Sequence, residues 1–184
     1  MQPWEYQEEI EIDGVSYPIR TDYRDIMTIL VAFEDKELSN IEQIQVLYEI
    51  LFEYDKPLLT EEVINKCMLF ISGDLPANTE TSKPLYKWSK DSNYIITGVS
   101  KVVGENVKRV NYLHWHDFLG YFMEIGECMF SNIVSIRKHK QEGKLTKDER
   151  EYYNKNKDLI DCIYEEENLS LEDLIKLAEI AEGR

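Results

Sequence analysis

Apolar residues alternate at the start of the chain and then recur every three or four positions. Ile10, Ile12, Val15, Tyr17 and Ile19 alternate around Asp13-Gly14, the period of a strand with one covered face. Asp-Gly suits a two-residue type I′ turn, where both central residues need positive φ. That turn pairs Ile12 with Val15 and Ile10 with Tyr17 on one face. Pro18 then opposes Glu9 at a non-hydrogen-bonded position, where its missing N–H leaves the ladder intact. So small a hairpin must pack on helices.

Helical spacing takes over at residue 21. Thr21 or Asp22 caps a helix carrying Ile26, Ile29, Leu30 and Phe33. Ser39-Asn-Ile-Glu42 is a capping box. It opens a helix with Ile41, Ile44, Leu47, Tyr48, Leu51 and Phe52 inward, ended before Pro57. Thr60 caps the next, with Glu61 and Glu62 where the helix dipole favours anions. Its stripe is Ile64, Cys67, Met68 and Ile71, and Gly73 stops it. Residues 74–84 have turn-forming composition and no apolar period.

Beyond the loop, Tyr94, Ile95, Val99 and Val102 mark a helix ended by Gly104. Trp115, Phe118, Leu119 and Phe122 mark the most aromatic helix, with Asn111 or a neighbour as its cap. Gly126 separates it from a helix with Met129, Phe130, Ile133, Val134 and Ile136. Thr146-Lys-Asp-Glu149 is a second capping box, opening a largely polar helix. Ser170 opens a last one, with Leu174, Leu177, Ala178 and Ala181. The pattern predicts a mainly α protein: a compact bundle of seven to eight helices with a small N-terminal β-hairpin. A length of 184 residues suits a single domain. Its parts are the hairpin (1–20), three helices (21–73), an exposed loop (74–86), the helices of 87–140 and charged C-terminal helices (141–184).

Charge narrows the function. The chain has 21 basic and 36 acidic residues, a formal charge of −15. Nucleic-acid and anionic-membrane binding both draw on basic surface, so neither is expected. The charge is uneven. Residues 1–62 hold 4 basic and 16 acidic side chains, and 137–157 hold 8 and 4. Residues 158–173 hold 7 acidic and none basic, so the two segments could fold back on one another or pair between subunits. The three cysteines, Cys67, Cys128 and Cys162, are dispersed and suit a reducing compartment. No signal peptide or membrane span is expected.

Catalytic motifs are scarce. His114, His116 and Asp117 form the most ligand-like cluster, with His139 the remaining histidine. His-x-His shares a face on a strand but diverges by about 200° on a helix. The chain carries no Walker A, Gly-x-Gly-x-x-Gly or Gly-x-Ser-x-Gly pattern. The reading is a non-enzyme without metal or cofactor. Glu165-Glu166-Glu167 reads as a solvated helix end.

The residues from Asp91 to about Tyr153 resemble the bacteriophage gene-product-fifteen family, siphophage-type tail proteins of Gram-positive hosts. The match lies in Asp91-Ser-Asn-Tyr-Ile-Ile-Thr-Gly-Val99, Tyr112-Leu113-His114-Trp115, Phe118, and Phe130-Ser-Asn-Ile133-Val-Ser-Ile-Arg137. Asp22-Tyr-Arg24 at a helix start and Lys147-Asp-Glu-Arg-Glu-Tyr-Tyr153 also fit. The chain departs from the family at His116, where a second Trp is usual, and in the Val103–Val107 loop.

Such genes typically lie between the major tail protein and the tape measure protein. The resemblance therefore implies a tail assembly chaperone that binds the tape measure protein in the host bacterial cytoplasm. The tail tube protein and a second copy of the chain are further candidate partners. It singles out Asp91, Leu113, His114, Trp115, Phe118, Ile133 and Arg137 as signature residues, structural or partner-binding. Trp115 and Leu113 are expected in the core, and Arg137 in an ion pair. Three alternatives stand beside this reading. They are an acidic mimic of nucleic acid that blocks a host DNA-binding protein, a tail component retained in the virion, and a metallohydrolase using His114, His116 and His139.

Overall fold

The computed structural model describes residues 5–73 and 83–164. The expected helix from Ser170, the Glu165–Glu167 run and most of the 74–86 loop lie outside the described residues. Two strands, β1 (Glu9–Ile12) and β2 (Val15–Pro18), pair antiparallel in the register Glu9 to Pro18, Ile10 to Tyr17, Glu11 to Ser16 and Ile12 to Val15. Asp13 and Gly14 have φ of 50° and 77°, as a type I′ turn requires. The Ile19 N–H donates to the Glu8 carbonyl (2.9 Å), so the ladder resumes beyond Pro18. Ile10 and Ile12 are buried, but Val15 on the same face is exposed.

The helices are α1 (Tyr23–Glu34), α2 (Asn40–Leu51), α3 (Glu61–Ser72), α4 (Trp88–Val103), α5 (Trp115–Met123), α6 (Met129–Gln141), α7 (Lys147–Lys155) and α8 (Lys157–Asp161). A 3-10 turn at Val107–Arg109 was not expected from the spacing. The mainly α architecture with a small hairpin is as the pattern predicts. Asp22, Ser39, Thr60 and Thr146 are N-caps, and both capping boxes close. Gly73 ends α3 in the left-handed region (φ 65°). A Cβ there would lie 2.7 Å from Leu119 Cδ2, a side-chain end that would have to shift, so the positive φ is the stronger reason for glycine.

By their contacts the residues form two compact units, divided between Phe130 and Ser131 inside α6. The sequence reading treats 1–184 as one domain with an exposed loop at 74–86.

In the first unit, α1 packs on α2, α4 and α5, and α3 packs on β1. Its core is aromatic. Tyr23 stacks on Phe118 (4.7 Å between centroids), Phe118 on Trp115 (5.7 Å), and Trp115 meets Trp88 edge-on (6.0 Å). Phe122 joins Trp88 (5.2 Å) to Tyr86 and Phe130. Such pairs add directional preference to apolar burial.

The second unit buries Ile133, Ile136, Ile160 and Ile163 around the Arg137 side chain. Among the described residues, the start of the acidic segment folds back on the basic one. Lys140 Nζ lies 2.6 Å from Asp161 Oδ1, and the Tyr153 hydroxyl donates to Asp161 Oδ2 (2.7 Å).

Several helix faces differ from the expected stripes. Met27 and Tyr23 are buried on α1, and Val63 and Phe70 on α3. Ile41, Met68 and Val102, expected inward, are exposed. The stripe was read from spacing alone, whereas the covered face is set by which neighbours arrive.

Candidate functional site

Residues 110–115 run extended into α5 and lie against the start of α1. The Tyr23 N–H donates to the Leu113 carbonyl (3.0 Å), and the Trp115 N–H to the Thr21 carbonyl (2.7 Å). Asp22 and His114 thus form an isolated antiparallel bridge.

The Asp22 carboxylate organises this joint. Its Oδ1 accepts the Arg24 N–H (2.9 Å), and its Oδ2 accepts the Leu113 N–H (3.3 Å) and the Arg24 guanidinium (2.9 Å). The other arm of Arg24 donates to the Val110 carbonyl (2.6 Å). Thr21 and Tyr112 share a side-chain hydrogen bond (2.7 Å). Asp22-Tyr-Arg24 therefore clamps the chain that leads into the Leu-His-Trp signature.

His114 is the N-cap of α5, a role expected at Asn111 or a neighbour. Its Nδ1 accepts the His116 N–H (3.1 Å), and its Nε2 contacts the Gln7 carbonyl (3.3 Å). An accepting Nδ1 is unprotonated, so Nε2 carries the proton. Burial is the main cause that holds its pKa below the ordinary histidine value.

Trp115 and His116 reach the end of α3. Trp115 Nε1 donates to the Ile71 carbonyl (2.8 Å), and His116 Nε2 lies 2.8 Å from the Phe70 carbonyl. Trp115 thus supplies a donor to a carbonyl in the last turn of α3, and His116 sits on one that also accepts the Gly73 N–H (3.1 Å).

Asp91 is fully buried in the first turn of α4, where its Oδ2 accepts the Lys87 N–H (3.0 Å). Lysine at the N-cap has no acceptor to offer. Glu34 supplies the rest from the far end of α1. Its Oε1 accepts the Trp88 N–H (2.7 Å), and its Oε2 accepts the Ser89 N–H (2.8 Å) and hydroxyl (2.7 Å). Nothing in the local sequence marks Glu34, because its helix partner lies 54 residues away.

In the second unit Arg137 is fully buried. Its Nε donates to the Ile160 carbonyl (2.8 Å) and its Nη2 to the Leu159 carbonyl (3.0 Å) and Cys162 Sγ (3.4 Å). These bonds make Arg137 a clasp for the end of α8. Ile133 is buried beside it in sequence on α6.

The signature is thus largely interior. Asp91, His114, Trp115, Phe118, Ile133 and Arg137 are buried, and Leu113 is half-buried. The described bonds of their polar atoms go mainly to backbone. The chemistry expected of a ligand cluster is absent: among the described residues no three potential metal ligands gather. The His139 Nδ1 lies 2.6 Å from Glu149. Cys67 is buried, which pushes its thiol up to about 12, so it is no nucleophile at neutral pH. Among the described residues no helix is long and apolar enough to cross a membrane.

What the first unit does expose is an apolar groove between α2 and α3, of about 540 Å³. Ile41, Ile44, Tyr48, Leu59 and Ile64 line it, with Glu61 at its edge. Ile41 is 77% exposed and neighbouring Leu58 is 85% exposed. Two signals in the sequence mark this surface. The α2 segment carries more apolar residues than one stripe uses, and Leu58-Leu59 stands in a loop.

Similarity to known proteins agrees with the resemblance. No curated protein and no solved structure matches the chain. The family model described as Bacteriophage Gp15 protein matches residues 6–162, which include both the Asp22–His114 joint and the Arg137 clasp, and the chain belongs to that family.

Proposed function

We propose that this phage protein is a non-enzymatic tail assembly chaperone that binds the tape measure protein while the tail is built. The observation that carries the reading is the exposed apolar groove set among carboxylates in a member of this phage family. A tape measure is a long helical chain whose apolar stripes aggregate until they are packed. A helper needs a surface that covers such a stripe and enough charge to keep the pair dissolved. The groove and the charge of −15 meet those needs.

The buried signature suits this role as scaffold. It starts α4 and α5 and holds the ends of α3 and α8, with its described polar atoms engaged chiefly by main chain. In this reading the protein works in the host cytoplasm, and the tail tube protein or a second copy could join the same complex.

Co-expression with fragments of the tape measure protein tests the proposal. The expected result is a fragment that becomes soluble and co-purifies. A fragment that stays insoluble with this protein, yet dissolves with another carrier, removes the reading.

A further inference from the structure

We infer that the α2–α3 groove receives a single amphipathic helix whose apolar stripe is flanked by lysine and arginine. The identity of that partner rests on the chaperone reading; the chemistry of the groove does not.

Shape supports a helix. The α2 wall runs from Ile41 to Tyr48, two helical turns or about 10 Å. An amphipathic helix presents its anchors at i, i+3, i+4 and i+7 over the same span. Met68, four residues beyond Ile64 on α3, is also exposed, so it extends that wall along one face.

The walls are held in place before any partner arrives. The Ser39–Glu42 capping box fixes the start of α2. Gln43 Nε2 donates to the Phe33 (3.3 Å) and Asp35 (3.0 Å) carbonyls at the C-terminal end of α1. The Tyr48 hydroxyl donates to the Pro57 carbonyl. A preformed surface loses less entropy on binding than one that must order first.

Charge selects the partner. Residues 37–66 contain seven carboxylates and two basic residues, Lys56 and Lys66, the latter paired with Glu62. All seven carboxylates are exposed, and Lys56 is half-buried and bonded to Glu49. An acidic helix would be repelled. Lysine and arginine flanking an apolar stripe would meet carboxylates on both helices, which favours encounter and register.

Two synthetic peptides of about 18 residues test the inference. Both carry leucine at i, i+3, i+4 and i+7; one has lysine on its flanks and the other glutamate. Each is titrated into isotope-labelled protein while backbone amide shifts are followed. The lysine peptide is expected to move the amides of Ile41, Ile44, Leu59 and Ile64. It should bind at least about tenfold more tightly than the glutamate peptide, a gap that narrows with salt. Ile41→Asp and Leu59→Asp, at exposed lining positions, should each weaken it about tenfold while the melting temperature holds. Shifts centred elsewhere, equal binding of the two peptides, or indifference to both variants overturns the inference. So does a change of oligomeric state in Ile41→Asp without peptide binding, which makes the groove a self-interface.

The tape measure fragment separates the two proposals. A fragment held equally by the wild type and both variants sinks the groove and leaves the chaperone. A lysine peptide that maps to the groove while no tape measure fragment is held does the reverse.

Discussion

Asp22 and His114 face one another across an antiparallel bridge, and each is the N-cap of the helix that follows it. One joint therefore starts α1 and α5 together. The helices leave it with Tyr23 and Phe118 stacked at 4.7 Å and 3° between ring planes. Two residues 92 positions apart in sequence thereby set the packing of the aromatic core.

Acid should loosen this joint through His114. The folded chain needs the neutral ring, because Nδ1 accepts a backbone N–H. Its folded pKa lies below the ordinary value, chiefly through burial. The unfolded chain takes up that proton first, near pH 6.5. The contribution is complete above about pH 6.5 and is lost as pH falls through the lower, folded value. His114→Asn keeps an accepting cap and removes the titration. Thermal melts of both proteins at about pH 8 and about pH 5 should show a smaller acid loss for the variant. Equal losses would assign the acid sensitivity to other groups.

The Asp22–Arg24 clamp should behave as one device. Asp22→Ala removes the α1 cap, about 1 kcal/mol or more, and leaves the Leu113 N–H without this acceptor. Arg24→Met removes the donor to the Val110 carbonyl. Urea unfolding of both single variants and the double should give less than the summed loss, by at least about 0.5 kcal/mol. Additive losses would mean that the two act independently.

Glu34→Ala should destabilise the start of α4 although the substitution lies on α1. Loss of a helix cap costs about 1–2 kcal/mol. Glu34→Gln retains one carbonyl acceptor and should fall between alanine and wild type. Amide exchange reads the effect directly: protection at Trp88 and Ser89 should drop most. Unchanged protection there would mean the Glu34 bonds add nothing to helix stability.

Arg137→Met should release the end of α8. Two charge-assisted bonds to main-chain carbonyls are lost, about 3 kcal/mol together. Arg137→Lys keeps the charge but not the fork and should recover only part. Exchange should accelerate over residues 157–164, while the amides of α1 and α5 keep their protection. Acceleration spread evenly along the chain would show that Arg137 supports global stability instead.

Much of the local structure was legible in the sequence. The Asp13-Gly14 turn, the strand register, both capping boxes and the Gly73 and Gly104 stops follow from interactions within a few residues. The family was legible as well, through Asp91, Leu113-His114-Trp115 and Ile133 to Arg137 in order. The candidate surface was legible only in part, through the apolar excess of α2 and the Leu58-Leu59 pair in a loop. Ile41 has the spacing of a core residue, yet no neighbour covers it, and Leu58 belongs to no period. Of the two residues expected in the core, Trp115 is buried, because a large aromatic on an amphipathic helix rarely lacks a covered side, whereas Leu113 is half-buried.

The sequence by itself determined the helices, the hairpin, the charge and the family, because these depend on residue order and short-range bonding. Only the tertiary structure decided what the polar signature residues do. His114 became a cap, Asp91 and Glu34 the start of α4, and Arg137 a clasp on α8. Each role depends on a main-chain N–H or carbonyl left open at a helix end. Where distant segments bring that open group within about 3 Å cannot be read from spacing along one helix. The same cause leaves Ile41 uncovered and the groove open: burial belongs to the partner a face meets, not to the face alone.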